Sequence, residues 1–178
     1  MNSNLLRGLG LAACMTLVGF SAQAQDTTTN RVATNTDWSV FEEDNPRECW
    51  AVSAPKDSSL VDRNGNPTEG RRGEILLMVF NRPGSNVVEQ VVFTGGYPFA
   101  GGSTVTLSIG DSNFELYTDG EWAWPATPDA DAQIVAAMKR GANAVARGRS
   151  GRGNQTIDSF SLLGFTAATE DAARRCAG

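Results

Sequence analysis

Apolar residues in this chain recur largely at every second position, in short runs parted by turn-forming clusters, a pattern that predicts strands rather than helices. The clearest case is 104–109, where Val105, Leu107 and Ile109 share one side. After Gly110, Asp111 and Ser112, the alternation resumes with Phe114 and Leu116. Asp119 and Gly120 form a second turn into Glu121-Trp122-Ala123-Trp124-Pro125, so three consecutive short strands make a meander. Upstream, the run 74–81 (EILLMVFN) is apolar almost throughout, which predicts a strand covered on both faces. The turn residues 82–86 and the β-branched stretch 87–94 complete a hairpin with it.

Nearer the start, 38–41 and 49–53 predict two strands separated by the acidic, proline-containing turn 42–46. In the second of these, Cys49, Ala51 and Ser53 fall on one face and Trp50 and Val52 on the other, which places Trp50 in the core. The stretch 56–73 has no periodicity and contains Arg63-Asn64-Gly65-Asn66, a turn signal, so it reads as an exposed loop. Residues 142–147 fit a strand edge, 148–154 a loop and 156–162 a last strand.

Two segments break the period of two. Thr127 is placed to cap a helix over 128–140, with Pro128 at its first position and Asp129 and Asp131 near its positive end. Ile134, Val135 and Met138 form the apolar stripe, and Lys139, Arg140 and Gly141 close the helix. The alanine-rich stretch 165–176 predicts a shorter terminal helix that ends on Cys176.

The first 24 residues change how the cysteines are read. Arg7, an apolar run and Ala22-Gln23-Ala24 are laid out as a secretory signal cleaved near Ala24, too short for a stable membrane span. The competing reading is a lipoprotein box with a lipid on Cys14. Residues 25–36, rich in Thr and Asn, read as a flexible leader, and 37–178 as one folded domain. Cleavage leaves Cys49 and Cys176 in an oxidising compartment, where a disulfide is the expected state. Closing so long a loop stabilises by roughly 5 kcal/mol in the chain-entropy picture.

Charge and composition then exclude several functions. The chain has a formal net charge of −5, and loss of Arg7 with the signal makes it −6. So acidic a protein is a poor nonspecific partner for nucleic acid or anionic membranes. It contains no histidine, which removes Ser-His-Asp and Cys-His catalysis and histidine-based metal sites. No cofactor or metal site is expected, and no catalytic residue is assigned.

Two clusters are candidates for binding. Trp122 and Trp124 lie two apart on a strand and so project together, and Tyr97 and Phe99 in the glycine-dense stretch 95–102 are placed to lie beside them. Flat aromatic contact with a polar rim is how sugar rings are gripped, whereas the bland reading turns the same rings toward the core. Arg147, Arg149 and Arg152 among Gly148, Gly151 and Gly153 form either an anion-binding loop or a solvated one, and match no phosphate-binding motif. A carboxylate cluster of Asp57 and Asp62 with Asn64 and Asn66 misses the calcium-loop spacing.

The export signal, Asp37-Trp38, Cys49-Trp50, Gly96-Tyr97-Pro98-Phe99, Met138-Lys139-Arg140-Gly141 and above all 158–168 (DSFSLLGFTAA) leading to Cys176 resemble the invasion associated locus B family of exported bacterial proteins. The resemblance spans the mature chain. It implies a mainly β fold, an immunoglobulin-like antiparallel β-sandwich with few helices, and a place in the periplasm, at the outer envelope or outside the cell. For founding members it implies involvement in entry into host red cells, and it supplies no catalytic residues. The expected function is a non-catalytic binding or envelope-associated protein, whose partner is an envelope or extracellular protein or a glycan. The alternative is a glycan-acting hydrolase or lyase that works with Asp and Glu residues.

Overall fold

The computed structural model describes residues 30–177. Eleven strands and two α-helices follow one another as β1 (Arg31–Asn35), β2 (Trp38–Asp44), β3 (Arg47–Ser53), β4 (Asp57–Val61), β5 (Leu76–Arg82), β6 (Val87–Thr94), β7 (Thr104–Ile109), β8 (Ser112–Asp119), β9 (Trp122–Trp124), α1 (Pro128–Arg140), β10 (Asn143–Arg149), β11 (Gln155–Ser161) and α2 (Phe165–Cys176). All pairings are antiparallel, in the order β1-β2-β3-β5-β6-β9-β8-β7-β10-β11-β4.

The sheet folds over so that its two halves share one core. Phe93 of β6 meets Phe160 of β11 edge-on, with centroids 6.2 Å apart. Trp38 of β2 is fully buried and donates its indole N–H to the Ser161 carbonyl at 2.9 Å. The inward positions of β7, β8 and β10, Val105, Leu107, Leu116, Ala144 and Ala146, are fully buried, as their alternation requires.

Both helices close the inner side. The Thr127 hydroxyl accepts the Ala130 N–H, Pro128 opens α1, and Ile134, Val135 and Met138 enter the core. Asp131, expected to serve the helix dipole, is only 6% exposed and instead accepts the Val91 N–H of β6 at 2.8 Å. β9 pairs β6 only at Phe93 and Thr94, so this carboxylate supplies Val91 with the acceptor that a neighbouring strand would otherwise give. Burial pushes its carboxyl up to about 6.

α2 is preceded by Gly164, its N-cap at φ +89°, where any Cβ would collide with the Asn35 carbonyl. Phe165 packs edge-on against Trp38 at 4.9 Å, and Cys176 reaches β3 to form the expected disulfide with Cys49, with Cα atoms 5.8 Å apart. The end of the chain is thereby fastened to its first strands.

Several expectations need correction. Residues 31–35, read as part of a leader, form β1, an edge strand paired with β2. Within the supposed loop 56–73, β4 pairs with β11. The face of β3 that enters the core carries Cys49, Ala51 and Ser53, while Trp50 is half-buried on the opposite side. The disulfide decides this, because Cys176 approaches from the side where both helices lie. The signal segment, its cleavage near Ala24 and Cys14 lie outside the described residues.

Candidate functional site

Antiparallel sheets usually present polar residues on the side away from the core. Here the outer side is rich in apolar ones. Phe41, Trp50 and Phe80 are directly opposite one another on β2, β3 and β5, and their rings stack at 5.4 and 5.6 Å with interplanar angles of 10° and 23°. The Arg82 guanidinium covers the end of the stack, 4.2 Å from the Phe80 ring, and is held by Glu48 at 3.1 Å and Gln90 at 2.8 Å. In the next row Val52, Met78 and Val92 face one another; Met78 and Val92 are shielded from water yet stand apart from the main core. The run 76–80 is thus apolar on both faces as expected, but only its inner face lies under a helix.

The same outer side continues into the meander. Because Phe93 and Ala123 are paired and inward, Thr94 and Trp122 are paired and outward. Trp124 lies opposite Tyr117 of β8, and Tyr117 opposite Thr104 of β7. Trp122 is 47% exposed and Tyr117 51%, with Trp124 half-buried between strands. Three aromatic side chains therefore stand together on one face of β8 and β9, at the edge of a larger apolar surface.

Tyr97 and Phe99 do not join them. Gly148, between Arg147 and Arg149 on β10, points inward, and a Cβ there would lie 2.8 Å from the Tyr97 hydroxyl and 2.9 Å from the Phe99 ring. Phe99 is therefore a core residue, in contact with Phe93 at 6.2 Å. Tyr97 packs on Phe99 and donates to or accepts from the Thr156 hydroxyl at 2.6 Å, and burial holds its phenol above the ordinary range. The aromatic partner of the two tryptophans is instead Tyr117. Its signal was present: with Phe114 and Leu116 inward, the odd-numbered positions of that strand face out.

The three arginines also separate. Arg147 and Arg149 are exposed on the outer side of β10, and line an open depression of about 500 Å³ together with Ser103, Thr104, Gln155 and Ile157. Arg152 sits in the β10–β11 turn, where its carbonyl accepts both Arg63 Nε and Nη2. It borders a different cleft of about 370 Å³, with Arg71, Arg72, Tyr97, Glu69 and Glu121. The floor of that cleft is rigid: Arg72 makes two bonds, 2.7 and 2.6 Å, to Asp158, which is fully buried, and donates to the Gly95 carbonyl at 2.9 Å.

This cleft is a poor place for carboxylate chemistry. A general-acid carboxyl is kept protonated by burial, whereas Glu69 and Glu121 are exposed. Asp158 is committed to Arg72, and Asp131, whose carboxyl is raised, lies under α1 against β6. The Asp62 carboxylate is likewise committed: it accepts the Asn64 and Asn66 backbone N–H groups at 2.8 and 2.9 Å, and the Asn66 bond leads in holding its pKa below the usual carboxylate value.

A family model described as invasion associated locus B (IalB) protein matches residues 38–173, most of the chain and all of the sheet from β2 to the body of α2. The chain belongs to the invasion associated locus B family. No curated protein and no solved structure matches it. The match includes the Cys49 strand, the aromatic row, the meander with Trp122 and Trp124, and the Arg147–Arg149 strand, and stops three residues before Cys176. No helix among the described residues is long and apolar enough to cross a membrane.

Proposed function

We propose that this invasion associated locus B family protein is an exported, envelope-associated binding protein without catalytic activity. Its partner docks on the outer side of the sheet. The observation that carries the reading is the placement of Tyr117 and Trp122, two exposed rings gathered with the half-buried Trp124 on one face that neither helix covers. Large rings are normally buried, and exposed apolar surface that persists in a folded chain marks an interaction site. The Cys49–Cys176 disulfide fits residence in the periplasm, at the outer envelope or outside the cell, following signal removal near Ala24. Host-cell invasion, implied for founding members of the family, is not carried over to this chain.

A direct test uses the mature, oxidised protein against glycan arrays and envelope extract, beside a Tyr117→Ala/Trp122→Ala variant. The wild type is expected to retain a partner that the variant loses. Capture of nothing, or equal capture by both, would contradict the reading. Turnover of a polysaccharide by the wild type would replace it with the hydrolase or lyase alternative.

A further inference from the structure

The strand register joins the two candidate clusters that are far apart in sequence. Tyr117 is opposite Trp124 on one side and Thr104 on the other, and Thr104 lines the same depression as Arg147 and Arg149. Arg147 lies opposite Thr106, which lies opposite Glu115. The outer side of β10, β7, β8 and β9 therefore presents guanidinium groups and aromatic rings as one strip, which also carries two carboxylates of β8: Glu115, which accepts the Thr104 hydroxyl at 2.9 Å, and Asp119, opposite Trp122. Neither Trp122 nor Arg149 would suggest this alone.

Among the described residues, Arg147 and Arg149 are two of seven cationic side chains without a carboxylate within salt-bridge distance, the others being Arg31, Arg63, Arg71, Arg140 and Arg152. Lys56, Lys139, Arg47, Arg72, Arg82, Arg174 and Arg175 each have a carboxylate within salt-bridge distance. Among the described residues, the Arg149 side chain has no hydrogen-bond or ion-pair partner, and that of Arg147 has one long bond, 3.3 Å to the Ser108 hydroxyl. What sets this pair apart is placement: both are exposed, project from the same face of β10 and line one depression, so together they complement an anionic ligand.

We propose that this strip binds an acidic polysaccharide. The rings of Trp122, Trp124 and Tyr117 take the flat faces of sugar units, and Arg147 and Arg149 take carboxylate or sulfate groups on neighbouring units. The proposal rests on the binding reading above and adds the ligand class. The rings account for contact with pyranose faces, where C–H groups meet an apolar surface. The guanidinium forks account for the anion, since they match the planar geometry of a carboxylate or the oxygens of a sulfate.

The test is binding of the mature, oxidised chain to polygalacturonate, heparin, neutral dextran and anionic phosphatidylglycerol vesicles. Arg147→Gln/Arg149→Gln, Trp122→Ala and the charge-matched control Arg174→Gln on α2 are measured alongside, with thermal melts to confirm folding. The expected result is binding to polygalacturonate or heparin, lost at least tenfold in the double arginine variant and in Trp122→Ala, and unchanged in Arg174→Gln. Preference between the two acidic polymers tells carboxylate from sulfate. No acidic glycan binding by the wild type, equal loss in Arg174→Gln, or vesicle binding in place of glycan binding would overturn the proposal. Binding of dextran that needs Trp122 but not the arginines would overturn this ligand class while leaving the binding function standing; binding indifferent to Trp122 would overturn both.

Discussion

Trp38 and Trp122 mark the difference between the two sides of the sheet. Trp38 points inward, is fully buried, stacks edge-on with Phe165 of α2 and has its indole N–H satisfied by Ser161. Trp122 points outward, is nearly half exposed and has no helix above it. The connections that join the two halves of the sheet and its helices run through the inner side: the disulfide, the Phe93–Phe160 contact, the Asp131 acceptor for Val91 and the buried Arg72–Asp158 pair. The outer side holds the half-buried Phe41–Trp50–Phe80 row and, on β8 and β9, the exposed rings of Tyr117 and Trp122, which take no part in those connections. The inner side is committed to stability throughout, whereas on the outer side the rings of β8 and β9 remain exposed.

The sharpest way to break that comparison is at Arg72. Replacing it with Met leaves the fully buried Asp158 charge without its guanidinium, and a loss of about 3–5 kcal/mol is expected in urea denaturation. A loss below 1 kcal/mol would show that this inner pair is not needed. Next is the clasp: Cys49→Ser/Cys176→Ser is expected to lose about 2–5 kcal/mol, read as a lower urea midpoint.

Asp131 gives a pH-dependent version of the same contrast. Its folded carboxyl sits at about 6 against an ordinary 3.8, so between these values the folded chain holds a proton that the unfolded chain has released. Its contribution is fully present below pH 3.8 and is lost as pH rises through about 6. Asp131→Asn keeps an oxygen acceptor for Val91 and cannot ionise. It is expected to stabilise at pH 8 by up to about 3 kcal/mol and to change little at pH 3.5. Equal melting shifts at both pH values would contradict this assignment.

The smallest effect belongs to the outer side. Tyr117→Ala and Trp122→Ala are expected to change stability by no more than about 0.5 kcal/mol in the same denaturation experiment. A cost of several kcal/mol would mean that the rings serve the fold.

The sequence made the meander, α1 and the C-terminal helix legible because each carries local signals: alternation at 104–109, the Thr127 cap followed by Pro128, and the alanine-rich run that ends at Cys176. The disulfide followed from there being two cysteines once a signal is removed. What failed was whatever depends on pairing between distant segments. β1 and β4 have little pattern of their own and exist because β2 and β11 offer them hydrogen bonds. The orientation of β3 was misread because both of its faces are apolar, so period alone could not say whether Cys49 or Trp50 faced inward. For the site, Trp122 and Trp124 were visible as an i, i+2 pair, and Arg147 and Arg149 likewise. Their common face with Tyr117 and Thr104 is a product of sheet order, β9-β8-β7-β10, which no local pattern encodes.

The most direct measurement is oxidative footprinting of aromatic residues on the oxidised protein, free in buffer and again in intact cell envelopes. The account predicts that Trp122 and Tyr117 are modified in the free protein and protected in the envelope, while Trp38 is unmodified in both. Equal modification of Trp122 in both settings, or its protection in the isolated protein, would contradict the claim that the outer side of the sheet is where this protein meets its partner.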